Sequence, residues 1–403
     1  MPSFEEARES ILSHVTRLGA ESAPALDALG RVLAADVKAP WDMPRWDNSA
    51  MDGYAVRAGD CVNARSLTLS GFLPAGSHSA EVLAPGTAVK ILTGAPLPPG
   101  ADAVVPVEEV EERDGAILVR GPVRYGAHVR RKGEDIQSGE AVLLAGTVVG
   151  PAEISALASF SRLLVPVVRR VRVAILSTGD ELVEPGQPLP PGRIPDSNSF
   201  ALAAAVKQAG GEPILLGIAK DDRTSLEAQL KEGLEADALV TSAGVSMGDR
   251  DLVREVLQAL SVRQVFWKID IKPGRPTAFG MNGAKPVFSL PGNPVSTLLT
   301  FEEFVRPALL KMMGHRRWLR PLVPALLQED LPKKPGRVVF LRVRLARRGG
   351  VLLAWPSGNQ DTGILRTQLL ADGIALLPAD QGNLESGTPV DVQILRDGFP
   401  SEP

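Results

Sequence analysis

Four polar turns in this chain each follow directly on an apolar run: Ser177-Thr178-Gly179-Asp180-Glu181 after VAIL, Lys220-Asp221-Asp222 after ILLGIA, SAGVSMGD from Ser242 after LVT, and PGNPVS from Pro291 after VFSL. Gly and Ser in a strand-to-helix turn let backbone N–H groups approach an anion, and the helix N-terminus adds positive partial charge. Ser242, Gly244 and Ser246 in one loop, with Pro291, Pro294 and Ser296 in another, therefore point to a phosphate-class ligand. Glu181, Asp221 and Asp251 follow the same strand ends. Mg2+ takes one or two carboxylates together with phosphate oxygens and water, so metal-assisted phosphate chemistry is the expectation. Read singly, each Gly-rich turn is equally a tight connection, and Asp249 and Asp251 read as helix-capping or first-turn acids.

Cations stand close by. Phe266 to Pro276 reads FWKIDIKPGRP, and the two-residue period of an extended segment puts Lys268 and Lys272 on one face, with Arg275 beyond a Pro-Gly turn. Three cations there can hold an oxyanion, while the plain alternative is a solvated edge strand blunted by lysine. Two further segments are polar and turn-rich: Asp47 to Tyr54 (DNSAMDGY) and Arg130 to Asp135 (RRKGED), each of which alone reads as a turn or solvated hairpin. Gly244 to Gly248 also fits G-x-S-x-G, the nucleophile-elbow pattern of a serine hydrolase using Ser246. Only His315 lies downstream as a base, and no HGGG-type loop is present, so that reading ranks low.

These loops need a scaffold that gathers strand ends. Between 171 and 319 the pattern is strand, loop, helix, repeated, with VRVAIL, EPILLGIA, DALVTS and KPVFSL as strands, which predicts a mostly parallel sheet with covering helices. In such sheets ligands sit outside the carboxyl ends of the strands, where all four turns fall. Helix signals agree: Ser3 and Glu6 make a capping box for a helix over 3–17, Ser199–Gln208 stops at Gly210-Gly211, Thr224 pairs with Glu227, and Asn293-Pro294 opens another helix. Residues 45–139 read as short strands broken by Gly and Pro. Residues 140–170 can pair with 20–44 across that insertion. After 320, RVVFLRVRL, VLLAWP, GIALLP and VDVQIL predict a small β-barrel.

Composition narrows the class. The 403 residues suggest two to four domains at roughly 150 residues each. Apolar residues at 44% and charged residues at 23% are those of a globular chain. With 44 Lys+Arg against 47 Asp+Glu there is no broad basic field for nucleic acid or anionic lipid, so an anion must be held locally. One cysteine, Cys61, allows no intrachain disulfide, and four scattered histidines offer no zinc or haem spacing. No run approaches the roughly 18 to 20 apolar residues of a spanning helix, and the acidic N-terminus is unlike a signal peptide, which places the protein in the cytoplasm with no membrane partner.

Taken in order, DNSAMDGYAV, LTGAP, KGEDI, STGDEL, PDSNS, SAGVSMGD, IKPGRP and LPGNPVS closely resemble the motifs of the MoeA-type molybdopterin molybdenumtransferases, the family that includes the gephyrin E domain. The resemblance covers nearly the whole chain and weakens after 320. It implies a multidomain α/β plus β protein: a MogA-like three-layer α/β domain (1–19 and 171–319) with a mostly parallel sheet, a linking α+β domain (20–44 and 140–170), a β-rich lobe (45–139) and a C-terminal β-barrel (320–403), assembled as a homodimer. The implied reaction inserts molybdate into adenylylated molybdopterin and releases AMP with Mg2+. Glu181, Asp221 and Asp251 look like its functional acids and Mg2+ ligands, and Asp52, Thr93 and Asp135 like the functional residues of the β-rich lobe. Lys268, Lys272 and Arg275 resemble the segment that holds molybdate and phosphate, Asp196 and Asn198 look like pterin contacts, and Arg342 resembles a further anion-binding arginine. Partners in the same resemblance are a MogA-type adenylyltransferase and molybdoenzyme maturation proteins. Ala243 stands where the loop usually has a second Gly, Arg275 where many members have Lys, and Thr362 is the hydroxyl nearest the family's serine-containing stretch. A non-catalytic molybdopterin-binding or scaffold protein is the alternative from another class, and the retained acids argue against it.

Overall fold

Alternate residues of one strand feed two separate cores in the larger part of this protein. In strand Arg172–Thr178, Val173 and Ile175 pack into a cluster with Phe4, Ile11, Leu202, Val240 and Phe288. Ala174 and Leu176 pack into another with Leu226, Leu230, Leu239, Val253 and Val256. A strand buried on both faces reads as a continuous apolar run, and that is why VRVAIL carries no polar alternation. The computed structural model describes residues 1–62, 66–220, 222–243, 252–396 and 398. They form two compact units: Met1–Ala23, Ala28–Ala34 and Pro166–Pro403 in the first, Pro24–Asp27 and Ala35–Val165 in the second.

The first unit holds a six-stranded sheet in the order Glu212–Ala219, Arg172–Thr178, Ala238–Ser242, Lys285–Leu290, Ala278–Asn282, Arg263–Phe266. The first four are parallel, and Ala278–Asn282 runs antiparallel to both of its neighbours. The expected mostly parallel sheet is present. The two strands at its far edge, Ala278–Asn282 and Arg263–Phe266, were not among the expected strands. Helices on both faces complete three layers: Phe4–His14, Ser197–Gln208 and Arg306–Met312 share core residues with one face, Arg223–Gly233 and Leu252–Ala259 with the other.

Helix starts follow the capping chemistry with two corrections. Ser3 caps Phe4–His14, its hydroxyl accepting from the Glu6 amide while the Glu6 carboxylate accepts from the Ser3 amide. Thr224 is not the cap of the next expected helix. Asp222 is, with its carboxylate accepting from the Ser225 amide at 2.9 Å, because the D-x-x-S pairing lies two positions nearer the strand. Likewise Ser197–Gln208 begins before Ser199, since the buried Asp196 caps it through the Ser199 amide at 3.1 Å.

Five strands after 320 close on themselves: Val338–Arg348, Val351–Pro356, Leu322–Leu327, Pro389–Ile394 and Gly373–Leu377, with the last pairing back to the first. Leu327, Leu341, Val343, Ala354, Leu377 and Val392 fill this barrel. Ile271–Lys272 adds a short parallel strand outside Val338–Val339, so the cationic segment is joined to the barrel by backbone bonds.

The second unit is built on a six-stranded sheet, Ala103–Pro106, Gly53–Val56, Thr87–Ile91, Ser66–Leu73, Ala116–Val119, Val110–Arg113. Val37–Lys38 pairs with Ala141–Leu143, and helix Pro151–Ser159 follows.

Candidate functional site

Three neighbouring parallel strands change from apolar to hydroxyl-bearing residues at their carboxyl ends: Ser177-Thr178, Thr241-Ser242 and Ser289, all buried. The Ser177 and Thr241 hydroxyls have no protein partner, an expensive state for a buried polar atom that marks this rim as built for something other than packing. One side chain ties the rim together. The Asn198 amide, in the first turn of Ser197–Gln208, donates to the Ser242 hydroxyl and to the Gly292 carbonyl, each at 2.8 Å. Asn198, Ser242 and the Pro291 turn therefore converge, whereas Asp196 is 2% exposed and its carboxylate is engaged in capping. Ala243 follows in the left-handed region at φ +73, where an alanine is strained, and its amide donates to the Leu290 carbonyl at 3.1 Å. Gly244, Ser246, Asp221 and Asp251 lie outside the described residues.

A cleft of about 1080 Å³ opens beside this rim, between the Ala243 and Pro291–Ser296 turns, the Ile271–Pro276 segment and the barrel. Among the described residues its charged lining consists of cations: Lys272, Arg275, Lys333, Lys334 and Arg337. Two of these were expected from the sequence. A Pro-Gly turn sets them: Gly274 sits at φ +102, and a Cβ there would come within 2.5 Å of the Thr300 methyl, so only glycine allows Lys272 and Arg275 to flank the turn and both face the cleft. Lys268 does not share that position. Trp267–Asp270 is not extended, Ile269 is fully buried, and Lys268 is not among the cleft-lining residues, so the two-residue period does not hold across this segment.

Polar groups complete the walls. Ser296 is buried and lines the cleft, and Pro294 starts its helix, Pro294–Thr300. The Asn293 amide donates to the Thr362 hydroxyl at 2.7 Å rather than capping that helix, and both residues line the cleft. Arg342 does not. It is buried in barrel strand Val338–Arg348 and donates to the carbonyls of Asn359 and Asp361, each at 3.2 Å, while its Nε has no partner. It holds the chain that carries Thr362 and lines a smaller adjoining cavity.

Glu181 is exposed just beyond strand Arg172–Thr178. Its carboxylate occupies the space that a Cβ on Gly179 would fill, 2.6 Å from that position, so the glycine lets the acid fold back over the strand end. An oxygen donor so placed suits Mg2+, and the other two expected ligands are beyond description. Among the described residues no group of three His, Cys, Asp or Glu forms a metal cluster.

In the second unit the structure joins Asp52 and Thr93 across 41 positions of sequence: the Asp52 carboxylate accepts from both the amide and the hydroxyl of Thr93 at 2.7 Å. The Thr93 amide, then its hydroxyl, hold the Asp52 pKa below the ordinary carboxylate value. Asp135 is exposed at the end of the RRKGED turn, its amide donating to Met43. That turn is no loose hairpin. Asp47 accepts from Arg131 at 2.7 Å and from the Lys132 amide at 2.8 Å, and Lys132 also pairs with Asp42 at 3.3 Å. Burial pushes the Asp47 carboxyl up, but the Lys132 amide and Arg131 outweigh it and its pKa is lowered. The first acid of DNSAMDGY is thus a clamp on RRKGED, a role the sequence did not announce.

Sequence profiles described as the MoeA N-terminal region (domain I and II), a probable molybdopterin binding domain and the MoeA C-terminal region (domain IV) match residues 2–161, 174–311 and 324–395. A curated relative from Mycobacterium tuberculosis is 37% identical, with 97% of this chain and 99% of the relative aligned. The chain belongs to the MoeA family. That relative is named molybdopterin molybdenumtransferase 2, and a Haemophilus influenzae member, 37% identical over 91% of this chain and 92% of its own, is named molybdopterin molybdenumtransferase. A crystal structure titled as a molybdopterin biosynthesis MoeA protein from Pyrococcus horikoshii superposes with a TM-score of 0.86 at 35% identity, covering 98% of this chain and 99% of that one. Within the MoeA family frame, Lys333, Lys334 and Arg337 are the cleft residues that sequence reasoning missed; the signal was Pro-Lys-Lys-Pro-Gly-Arg at the head of the barrel.

Proposed function

We infer that this MoeA-family enzyme is a molybdopterin molybdenumtransferase, inserting molybdate into adenylylated molybdopterin and releasing AMP. The observation that carries the reading is the cleft at the strand ends, whose charged lining among the described residues is five cations in a chain of net charge −3. Molybdate and the nucleotide phosphate repel each other, and bringing them together needs fixed positive charge and preorganised donors. Lys272 and Arg275 supply charge from a rigid turn. Ser296, Asn293 and Thr362 add hydroxyl and amide groups to the lining. Glu181, with Asp221 and Asp251, would hold Mg2+, which when bound neutralises phosphate charge. Ser242, Gly244, Ser246, Asn198 and Asp196 would contribute substrate contacts.

The same reading includes a homodimer in which Asp52, Thr93 and Asp135 serve catalysis, the division into four domains at 19/20, 44/45, 139/140, 170/171 and 319/320, a cytoplasmic setting and exchange with a MogA-type adenylyltransferase. No helix among the described residues is long and apolar enough to cross a membrane, in keeping with that setting. The test is incubation of the purified protein with adenylylated molybdopterin, Mg2+ and molybdate, with AMP release as readout. Molybdate-dependent release, reduced about 100-fold or more by Lys272→Ala or Glu181→Ala, is expected for loss of charge stabilisation. Release that ignores molybdate or both substitutions would remove the proposal.

A further inference from the structure

Asp47, the first residue of DNSAMDGY, is bound on two sides. Its backbone carbonyl accepts from the Leu97 amide at 3.0 Å, just after LTGAP, and its carboxylate accepts from the Arg131 guanidinium at 2.7 Å and the Lys132 amide at 2.8 Å, both in RRKGED. Asn48–Ser49 then runs between the same two neighbours. On one side the Ser49 amide donates to Ala95 at 3.0 Å and the Gly94 amide to Ser49 at 2.8 Å; on the other, Asn48 and Ser49 pair antiparallel with Arg130 and Val129. The chain reaches Asp52 three residues later, where the carboxylate meets Thr93.

Nothing apolar holds RRKGED. The segment has no hydrophobic side chain, and Arg130, Lys132, Glu134 and Asp135 are exposed, so hydrogen bonds rather than burial must set its position. Those bonds fall into two sets. Toward Asp135, the Gly133 amide donates to Pro44 at 3.0 Å, the Asp135 amide to Met43 at 3.1 Å, and the Lys132 ammonium pairs with Asp42 at 3.3 Å. Toward Arg131, the bonds go to Asp47, and the Tyr125 ring lies against the Arg131 guanidinium at 5.3 Å. The first set keeps the turn on the chain that enters the sheet, and the second ties it to the strand that leads to Asp52. Two donors on one carboxylate fix orientation as well as distance. The Asp47 and Arg131 side chains are 38% and 41% exposed, and an ion pair so placed adds little to stability; what it supplies is position.

Resting on the function proposed above, we propose that Asp47 is a positioning residue for turnover: it holds Asp135 in a set place relative to the Asp52–Thr93 pair, so that groups from three separated segments form one preformed constellation. Asp47 touches no reacting atom itself. A misplacement of about 1 Å costs on the order of 100-fold in rate, and the pairing of Asn48–Ser49 with Val129–Arg130 limits the shift here, so a loss of about tenfold is expected. The cationic cleft belongs to the other unit, so the loss falls on kcat and spares KM.

AMP release by the full chain, with adenylylated molybdopterin, molybdate and Mg2+, tests this with Asp47→Asn, Arg131→Gln and Asp135→Ala, singly and in pairs, each checked for folding by circular dichroism and melting temperature. Asp47→Asn and Arg131→Gln should each lower kcat about tenfold with KM for both substrates unchanged, and the two together should be no worse than either. In the Asp135→Ala enzyme, read over long single turnovers, Asp47→Asn should cost nothing further. Wild-type kcat in Asp47→Asn, a raised KM in place of a lowered kcat, an equal loss in the Asp135→Ala background, or a loss matched by a smaller folded fraction overturns the positioning role and leaves the transferase reading standing. A wild type that releases no AMP in response to molybdate overturns both.

Discussion

Ala243 shows how a single backbone angle limits a loop. At φ +73 it occupies a conformation that costs an alanine roughly 1–2 kcal/mol, and glycine would occupy it freely. Glycine also gains entropy in the unfolded chain, worth about 0.4–1 kcal/mol against folding, so Ala243→Gly should stabilise by about 0.5–1 kcal/mol net. A denaturant midpoint that fails to rise would show that the neighbouring loop already relieves the strain. At this scale the sequence was legible where chemistry is written by residue type in a short run, as with Lys272 and Arg275. It was not legible where a role depends on a distant partner. Asp196 and Asn198 were singled out together, yet one caps a helix and the other bridges Ser242 and Gly292, and nothing local distinguishes the two. Lys333 gives no hint of burial until the 379–384 segment is folded against it.

Among the elements, a buried polar contact joins the helical layer to the barrel. A single π-helical turn, Phe301–Val305, follows helix Pro294–Thr300 and carries Glu303, which is buried and accepts from the Gln393 amide of barrel strand Pro389–Ile394 at 3.2 Å. Its other oxygen and the Gln393 carbonyl oxygen have no partner, an arrangement suited to a carboxyl that keeps its proton. Burial pushes the Glu303 acid up to about 7 from 4.5. Between those values the folded chain retains a proton that the unfolded chain has released, so this contribution to stability is full below the unfolded value and is lost as pH rises through the folded one. Glu303→Gln should flatten that decline and raise stability by up to roughly 3 kcal/mol at about pH 8, with little change at about pH 4. Urea midpoints at the two pH values check it, and a parallel pH trend in the variant would assign the decline to other groups. Element identity was legible where an apolar run was long, as in the four parallel strands and Ser3's helix. It was not legible for Ala278–Asn282, which includes a Gly and ends in Asn, or Leu322–Leu327, interrupted by Pro324. The competing Asp222 and Thr224 caps differ by two positions, within the ordinary uncertainty of a helix end.

For the whole molecule, the change of texture near residue 45 and the return of helix patterns after 170 announced a chain that leaves one body and comes back to it. Composition alone could not say where the two passages meet, because that depends on backbone pairing between segments more than 100 positions apart. The meeting place is specific: the Ala34 amide donates to the Pro166 carbonyl at 2.9 Å, and Leu33 bridges Val167, all inside the first unit. Every residue of the cationic cleft also belongs to that unit.

Two ends held one hydrogen bond apart can be sewn together. Cutting out 35–165 and splicing Ala34 to Pro166 through a few glycines should leave a shorter chain that still captures oxyanions with the parent's affinity, although it forfeits the Ala25–Leu163 backbone bond. On the proposed function the same chain should be inert in turnover, because Asp52, Thr93 and Asp135 leave with the excised piece. Capture without chemistry would mean that evolution could graft the inserted lobe onto an anion receptor that already worked; an excised chain that folds but no longer captures would mean the receptor never stood alone.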